Sequence, residues 1–157
     1  LWFGDLAPAG PGLTALVLRG ADRHVMRGSP DDPRPDVGAL GSFLVEPDGA
    51  VIRAGLVGQV AARVDGRLVD RSIAYVTTDT PPVTPFGTGY RVLDSMPFGL
   101  KRLRSYLRER DVGRLTIKKR GTAVVPEQLR SQLTESGCQL FQGYRFGPPR
   151  PLAQLAL

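Results

Sequence analysis

Two clusters of proline and glycine constrain this chain more than any other feature, because they separate the stretches that can form regular structure. The first cluster, Gly28–Gly38, is rich in Pro, Gly and Asp and predicts an exposed linker. The second, Thr80–Pro85, contains three prolines, which remove backbone donors and bias their neighbours towards extended geometry. With 157 residues in all, such breaks favour small modules and leave room for one ordinary domain or two small ones.

The stretch before the first cluster predicts strands. Leu13–Leu18 is nearly continuous in apolar character, which is typical of a strand covered on both faces, and Leu1–Gly4 has a similar pattern. No other part of the first forty residues could cover both faces of Leu13–Leu18. We therefore expect a missing neighbour on its N-terminal side, and the start at Leu1 rather than Met favours a fragment of a longer protein.

Between the two clusters the pattern predicts one helix and one strand. The helix runs from Pro47 to about Val64, and the strand is Ile73–Thr78. Four apolar residues at four-residue spacing give the helix one apolar stripe: Ile52, Leu56, Val60 and Val64.

The second half of the chain predicts a small module with the order β-α-β-α-β-β and one sheet, so we expect an α+β fold. Glycines and prolines punctuate it at each change of element. Its predicted elements are strand Tyr90–Asp94, helix Pro97–Asp111, strand Leu115–Lys118, a short helix from Pro126, and a strand-turn-strand tail over residues 139–157.

Positive charge is concentrated in this second half. Residues 90–157 contain 13 Lys and Arg against 5 Asp and Glu, whereas residues 1–89 contain 8 against 10. Such asymmetry favours a polyanionic partner, although a basic domain can also be no more than soluble.

Six cations of the basic half are candidates for holding phosphates. Lys101, Arg104 and Arg108 are spaced by three and four residues, so they share a helix face away from Leu100, Leu103 and Leu107. The strand that follows ends in three further cations. We predict that these six side chains form one exposed rim that binds RNA through its phosphates: Lys101, Arg104, Arg108, Lys118, Lys119 and Arg120.

Residues for catalysis or metal binding are scarce. The chain has one histidine, His24, and one cysteine, Cys138, which cannot build the usual zinc sites, so we predict no metal. Phe86–Tyr90 contains Gly-X-Gly without a third glycine, and we interpret it as a flexible turn rather than a cofactor loop. We predict no catalytic or cofactor-binding residues in this chain, no membrane span and, with a single cysteine, a cytoplasmic location.

Four segments in series resemble a known family. The most specific are the Glu-Pro-Asp and Ile-Arg-Ala elements near the start and the Ile-Lys-Lys-Arg-Gly element near the end. Together they resemble the C-terminal region of bacterial class I SAM-dependent methyltransferases with a THUMP-like domain, over about residues 43–157. The segments are Glu46–Val57, Ile73–Asp79, Tyr90–Asp94 and Ile117–Gly121.

The resemblance implies a domain plan. Residues 1–27 would be closing strands of the Rossmann-like sheet of an upstream methyltransferase domain, and residues 28–42 a linker. Residues 43–84 would form a ferredoxin-like helix-strand segment and residues 85–157 the basic THUMP-like domain. S-adenosylmethionine would bind the upstream domain of the parent protein, outside this chain.

Two functions follow as hypotheses. In the first, this region recruits the RNA substrate, tRNA or rRNA, of a SAM-dependent methyltransferase. In the second, it is an interaction or structural module whose basic rim docks on an acidic patch of its own catalytic domain or of a dimer partner. The weak complement of aromatic residues leaves this second hypothesis open.

Overall fold

The computed structural model describes residues 12–118, 126–134, 140–142 and 150–151. It confirms the α+β class, with two antiparallel sheets, one mixed three-stranded sheet and four short helices in those residues. The chain divides into two compact units, one ending at Ser95 and the other beginning at Met96. The predicted strand Leu1–Gly4 lies outside the described residues, as does most of the predicted tail.

The first unit begins with an antiparallel hairpin of β1 (Leu13–Arg19) and β2 (Asp22–Gly28), joined at Gly20, whose φ of 61° suits a tight turn. Ala15, Val17 and Met26 face the core, as the two-residue period of a strand requires. The opposite face includes three exposed apolar residues: Leu16, Leu18 and Val25.

A four-stranded antiparallel sheet follows, in the order β4-β5-β3-β6. Its central strands bury Val45 and Val76 completely against two helices. The elements of this part are β3 (Phe43–Pro47), α1 (Gly49–Arg53), α2 (Val57–Arg63), β4 (Arg67–Asp70), β5 (Ile73–Thr78) and β6 (Gly87–Arg91).

The prediction of one helix from Pro47 to Val64 is wrong in its continuity. Asp48 caps α1 by accepting a hydrogen bond from the Ala50 amide at 2.9 Å, but the helix ends at Arg53, shortly before Gly55, where φ is 73°. The break changes the phase of the apolar stripe, so Val51 is buried and Ile52 is only half-buried.

The predicted turn at Phe86–Tyr90 is also corrected. Gly87–Arg91 is the edge strand β6, which pairs antiparallel with β3 and places Tyr90 opposite Leu44. Phe86, just before it, is buried in the core of the first unit. The expectation of one sheet for the second half is therefore wrong, because its first strand completes the sheet of the first unit.

The side chain of Arg67 ties the irregular segment before β3 to the sheet and also forms an ion pair. Arg67 of β4 donates through Nε to the Ala39 carbonyl at 2.8 Å and through Nη1 to Asp79 Oδ2 at 2.9 Å. The hydrogen bond from Arg67 holds the pKa of the Asp79 carboxyl below its usual 3.8. The Asp79 carboxylate is therefore favoured in the folded state.

We expect Asp79→Asn to lower the melting temperature slightly, with a pH dependence of definite sign. A lowered pKa means that the stabilisation is fully present above the unfolded-state pKa of 3.8 and is lost as the pH falls through the folded-state value. Melting curves of both proteins from about pH 7 to about pH 2 should converge in acid. A difference in melting temperature that stays the same in acid, or that does not shrink when salt is added, would contradict this account.

The second unit contains α3 (Leu100–Glu109), β7 (Arg114–Thr116), α4 (Pro126–Thr134), β8 (Leu140–Gln142) and β9 (Arg150–Pro151). β7 pairs parallel with β8, and β8 pairs antiparallel with β9. Leu107, Leu129 and Leu133 form its described core. Six partly buried apolar residues surround them: Leu100, Leu103, Tyr106, Val112, Leu115 and Ile117.

Candidate nucleic-acid interface

Helix α3 carries more Lys and Arg residues than any other element in the described part of the second unit. It starts after Gly99, whose carbonyl accepts from the Leu103 amide at 2.9 Å, and it turns Leu100, Leu103 and Leu107 towards the core. It ends where Asp111 adopts a left-handed conformation with φ 48° and the Val112 amide bonds the Leu107 carbonyl at 3.0 Å.

Three cations of α3 point into solvent without an ion-pair partner among the described residues. They are Lys101, Arg102 and Arg108, all exposed. Lys101 and Arg108 are seven residues apart, which places them on one side of the helix and about 10 Å apart along its axis. The predicted helix face is therefore present at Lys101 and Arg108, and it is available to an anion.

Arg104 differs from its two neighbours on that face. Its guanidinium donates from Nε at 3.0 Å and from Nη2 at 2.7 Å to the main-chain carbonyl of Gln132, in the last turn of α4. A cation at that position stabilises the negative end of the helix dipole, and α4 has no basic residue of its own in its last turn. Arg104 therefore joins α3 to α4, and its Nε and Nη2 groups already donate to a protein carbonyl.

The cations after β7 are only partly described. Leu115 and Ile117 pack against the leucine core, while Thr116 and Lys118 alternate with them and are exposed. Lys118 lies two residues beyond the end of β7. Lys119 and Arg120 lie outside the described residues, so the predicted convergence of all six cations on one rim stays a prediction.

A second feature of α3 escaped the sequence analysis. The Cζ atom of Arg110 lies 3.7 Å from the centroid of the Tyr106 ring, in a cation–π contact. Ser105 donates to Glu109 Oε1 at 2.9 Å, and Arg110 Nη1 lies 3.8 Å from Glu109 Oε2. The four-residue spacing of tyrosine and arginine at the helix end was the available signal.

Other kinds of site find little support in the described residues. They contain no group of three or more His, Cys, Asp or Glu side chains that could hold a metal ion. A search of the same residues finds no helix long and apolar enough to cross a membrane. Cys138 lies outside them.

Comparison with known proteins defines the class to which the second unit is similar. Residues 87–140 match the family described as THUMP domain-like. This match begins at the first residue of β6 and includes α3, β7 and α4.

Relatives then narrow the comparison to particular proteins. Two uncharacterized S-adenosylmethionine-dependent methyltransferases of Mycobacterium tuberculosis, from strains CDC 1551 / Oshkosh and ATCC 25618 / H37Rv, are each 37% identical to this chain over 137 residues. The match covers 87% of this chain and 37% of each relative. The chain thus spans just over a third of the length of the curated relatives it matches.

A solved structure has a related fold. The crystal structure of a protein from Porphyromonas gingivalis W83, proposed to be a methyltransferase, gives a TM-score of 0.59 and covers 84% of this chain and 34% of that one. Sequence identity is 17%, so this likeness shows the fold alone. The family match and the two relatives confirm the resemblance to SAM-dependent methyltransferases with a THUMP-like domain.

Proposed function

We propose that this chain is the C-terminal, RNA-recruiting region of a bacterial, cytoplasmic SAM-dependent methyltransferase. The observation that carries the proposal is the exposed basic side of α3, where Lys101 and Arg108 have no ion-pair partner among the described residues. That helix lies inside the THUMP-like match, and the relatives are named as methyltransferases. Lys118, Lys119 and Arg120 would extend the same phosphate-binding surface. Arg104 would hold α3 in place by its contact with the Gln132 carbonyl of α4.

The proposal assigns catalysis to a domain upstream of this chain. Residues 1–27 would then be closing strands of that domain, followed by the linker 28–42, the ferredoxin-like segment 43–84 and the THUMP-like domain 85–157. The exposed apolar face of the β1–β2 hairpin, at Leu16, Leu18 and Val25, supports a covering partner on that side. S-adenosylmethionine would supply the methyl group in that upstream domain, and RNA, whether tRNA or rRNA, would be the acceptor.

The proposal predicts salt-dependent binding of RNA. Five phosphate contacts, from Lys101, Arg108, Lys118, Lys119 and Arg120, should give a log–log salt slope of about −3.5 at about 0.7 per contact for a single strand. Replacing Lys101 and Arg108 with glutamine should reduce that slope by about 1.4 and weaken binding about tenfold at low salt. Fluorescence anisotropy with a labelled RNA at several salt concentrations measures both quantities.

A matched control removes the same charge from the first unit. Arg23 and Arg71 are exposed there, so R23Q/R71Q lowers the net charge equally without touching α3. We expect this variant to keep the wild-type slope. A slope near zero in the wild type, or equal losses in both variants, would refute a binding role for α3. If K101Q/R108Q instead destabilised the full-length methyltransferase without changing RNA affinity, the basic side would be a docking surface within the protein.

A further inference from the structure

Arg110, at the C-terminal end of α3, is held by two neighbouring side chains of the same helix. Its guanidinium lies 3.7 Å above the Tyr106 ring, and Tyr106 is itself packed against the leucine core of the second unit. The Glu109 carboxylate lies 3.8 Å from Nη1 at the edge of the group. The side chain of Arg110 nevertheless remains 50% exposed.

The main chain at this point is fixed as well. Asp111, the next residue, is in the left-handed region, and its amide bonds the Arg108 carbonyl at 3.2 Å. The Val112 amide bonds Leu107 in the turn that closes the helix. A residue with its backbone in a closed helix end and its side chain on an anchored ring loses little conformational freedom when a ligand binds.

We propose that the guanidinium of Arg110, supported by the Tyr106 ring, is a platform on which one unpaired base of the RNA stacks. This inference rests on the proposed RNA-recruiting function. Bases stack on arginine planes as well as on aromatic rings, and half of the Arg110 side chain is exposed although Tyr106 lies against it. Tyr106 acts as a positioning residue, because its ring is covered by the guanidinium rather than offered to the base.

The helix also provides a charge for the same strand. Arg102, Tyr106 and Arg110 follow at four-residue spacing, so they form one row along α3. Arg102 is exposed and lies about 12 Å from Arg110 along the helix axis. A phosphate a short distance along the strand from the stacked base would reach Arg102, whereas Lys101 and Arg108 lie on another side of the helix. The surface therefore suits RNA with at least one nucleotide outside a duplex.

Two oligonucleotides with the same backbone charge test the platform. One is a uridine 12-mer with a central 2-aminopurine, and the other is the same ribose-phosphate chain with every base removed. We expect the full chain to bind the base-containing strand about tenfold more tightly, within the range for stacking of one base. We also expect 2-aminopurine fluorescence to change on binding.

The decisive variant is Arg110→Lys, which keeps the charge and removes the plane. It should bring the affinity ratio of the two strands close to one and abolish the fluorescence change, while leaving affinity for the base-free strand unaltered. Arg114→Lys is the matched control, because Arg114 is an exposed arginine of the same unit outside α3, and it should keep the ratio. Phe98→Leu is a second control, since Phe98 is a strongly exposed aromatic residue in the described part of this unit, at 62%.

Each result decides between the two proposals. A wild-type ratio near one, a ratio retained in Arg110→Lys, or a ratio lost only in Phe98→Leu would overturn the platform while leaving phosphate binding intact. Failure of both strands to bind at low salt would overturn the proposed function together with the platform.

Discussion

Replacing Leu133 with alanine is expected to lower the free energy of unfolding of the second unit by about 2–5 kcal/mol. Leu133 is fully buried, and it shares the described core of this unit with only Leu107 and Leu129. A cavity in so small a core has few neighbours that can move to fill it. Amide hydrogen exchange in α4 measures the change within this unit, separately from the first.

Two variants on the same helix sharpen that prediction. Gln132→Ala changes an exposed side chain and keeps the carbonyl that Arg104 binds, so we expect a change within about 0.5 kcal/mol. Leu133→Met conserves volume and should cost less than about 1.5 kcal/mol. Similar exchange rates in α4 for Leu133→Ala and Gln132→Ala would show that the core is not centred on Leu133.

Replacing Arg104 with methionine is expected to destabilise the second unit by about 1.5–3 kcal/mol, the usual size of a hydrogen bond from a charged group. The variant leaves the Gln132 carbonyl without its two guanidinium donors and removes the cation from the negative end of the α4 dipole. Denaturant unfolding followed by exchange in α4 measures the loss. At temperatures where the variant is folded, its RNA salt slope should equal that of the wild type.

Lys101→Met is the matched control for Arg104→Met. It removes one charge from the same helix at an exposed position, so it should change stability by less than about 0.5 kcal/mol and lower the salt slope by about 0.7. The opposite pattern would mean that Arg104 leaves Gln132 and binds phosphate. Such a result would assign Arg104 to phosphate binding, which is the role that helical spacing alone predicts.

The local pattern of apolar residues in the sequence is enough to predict part of this fold. The leucine stripe of α3 predicts the face that packs inward, because Leu100, Leu103 and Leu107 share one side of any regular helix. The break after α1 was not predictable in this way. The break depends on the left-handed conformation of Gly55. The apolar sequence pattern continues through this residue into α2, but the helix does not.

Tertiary contacts explain the rest of the difference. Lys101, Arg104 and Arg108 have the same chemistry and helical spacing, but only Arg104 is shown within reach of the Gln132 carbonyl, and no local pattern encodes that contact. The strand partner of β6 is also non-local, since β3 lies more than forty residues earlier in the chain. The sequence therefore predicts a basic helix face, but it does not predict which of these cations holds the two helices together.

The pairing of β6 with β3 has a consequence for how this chain can be cut. The THUMP-like match starts at residue 87, whereas compact packing divides the chain after Ser95. A recombinant fragment that starts at residue 87 would contain β6 without its partner strand. The remaining fragment would expose the hydrogen-bonding edge of β3 to solvent, and such an exposed edge promotes aggregation. Gene designs that separate the two units should place the junction at Ser95 and Met96.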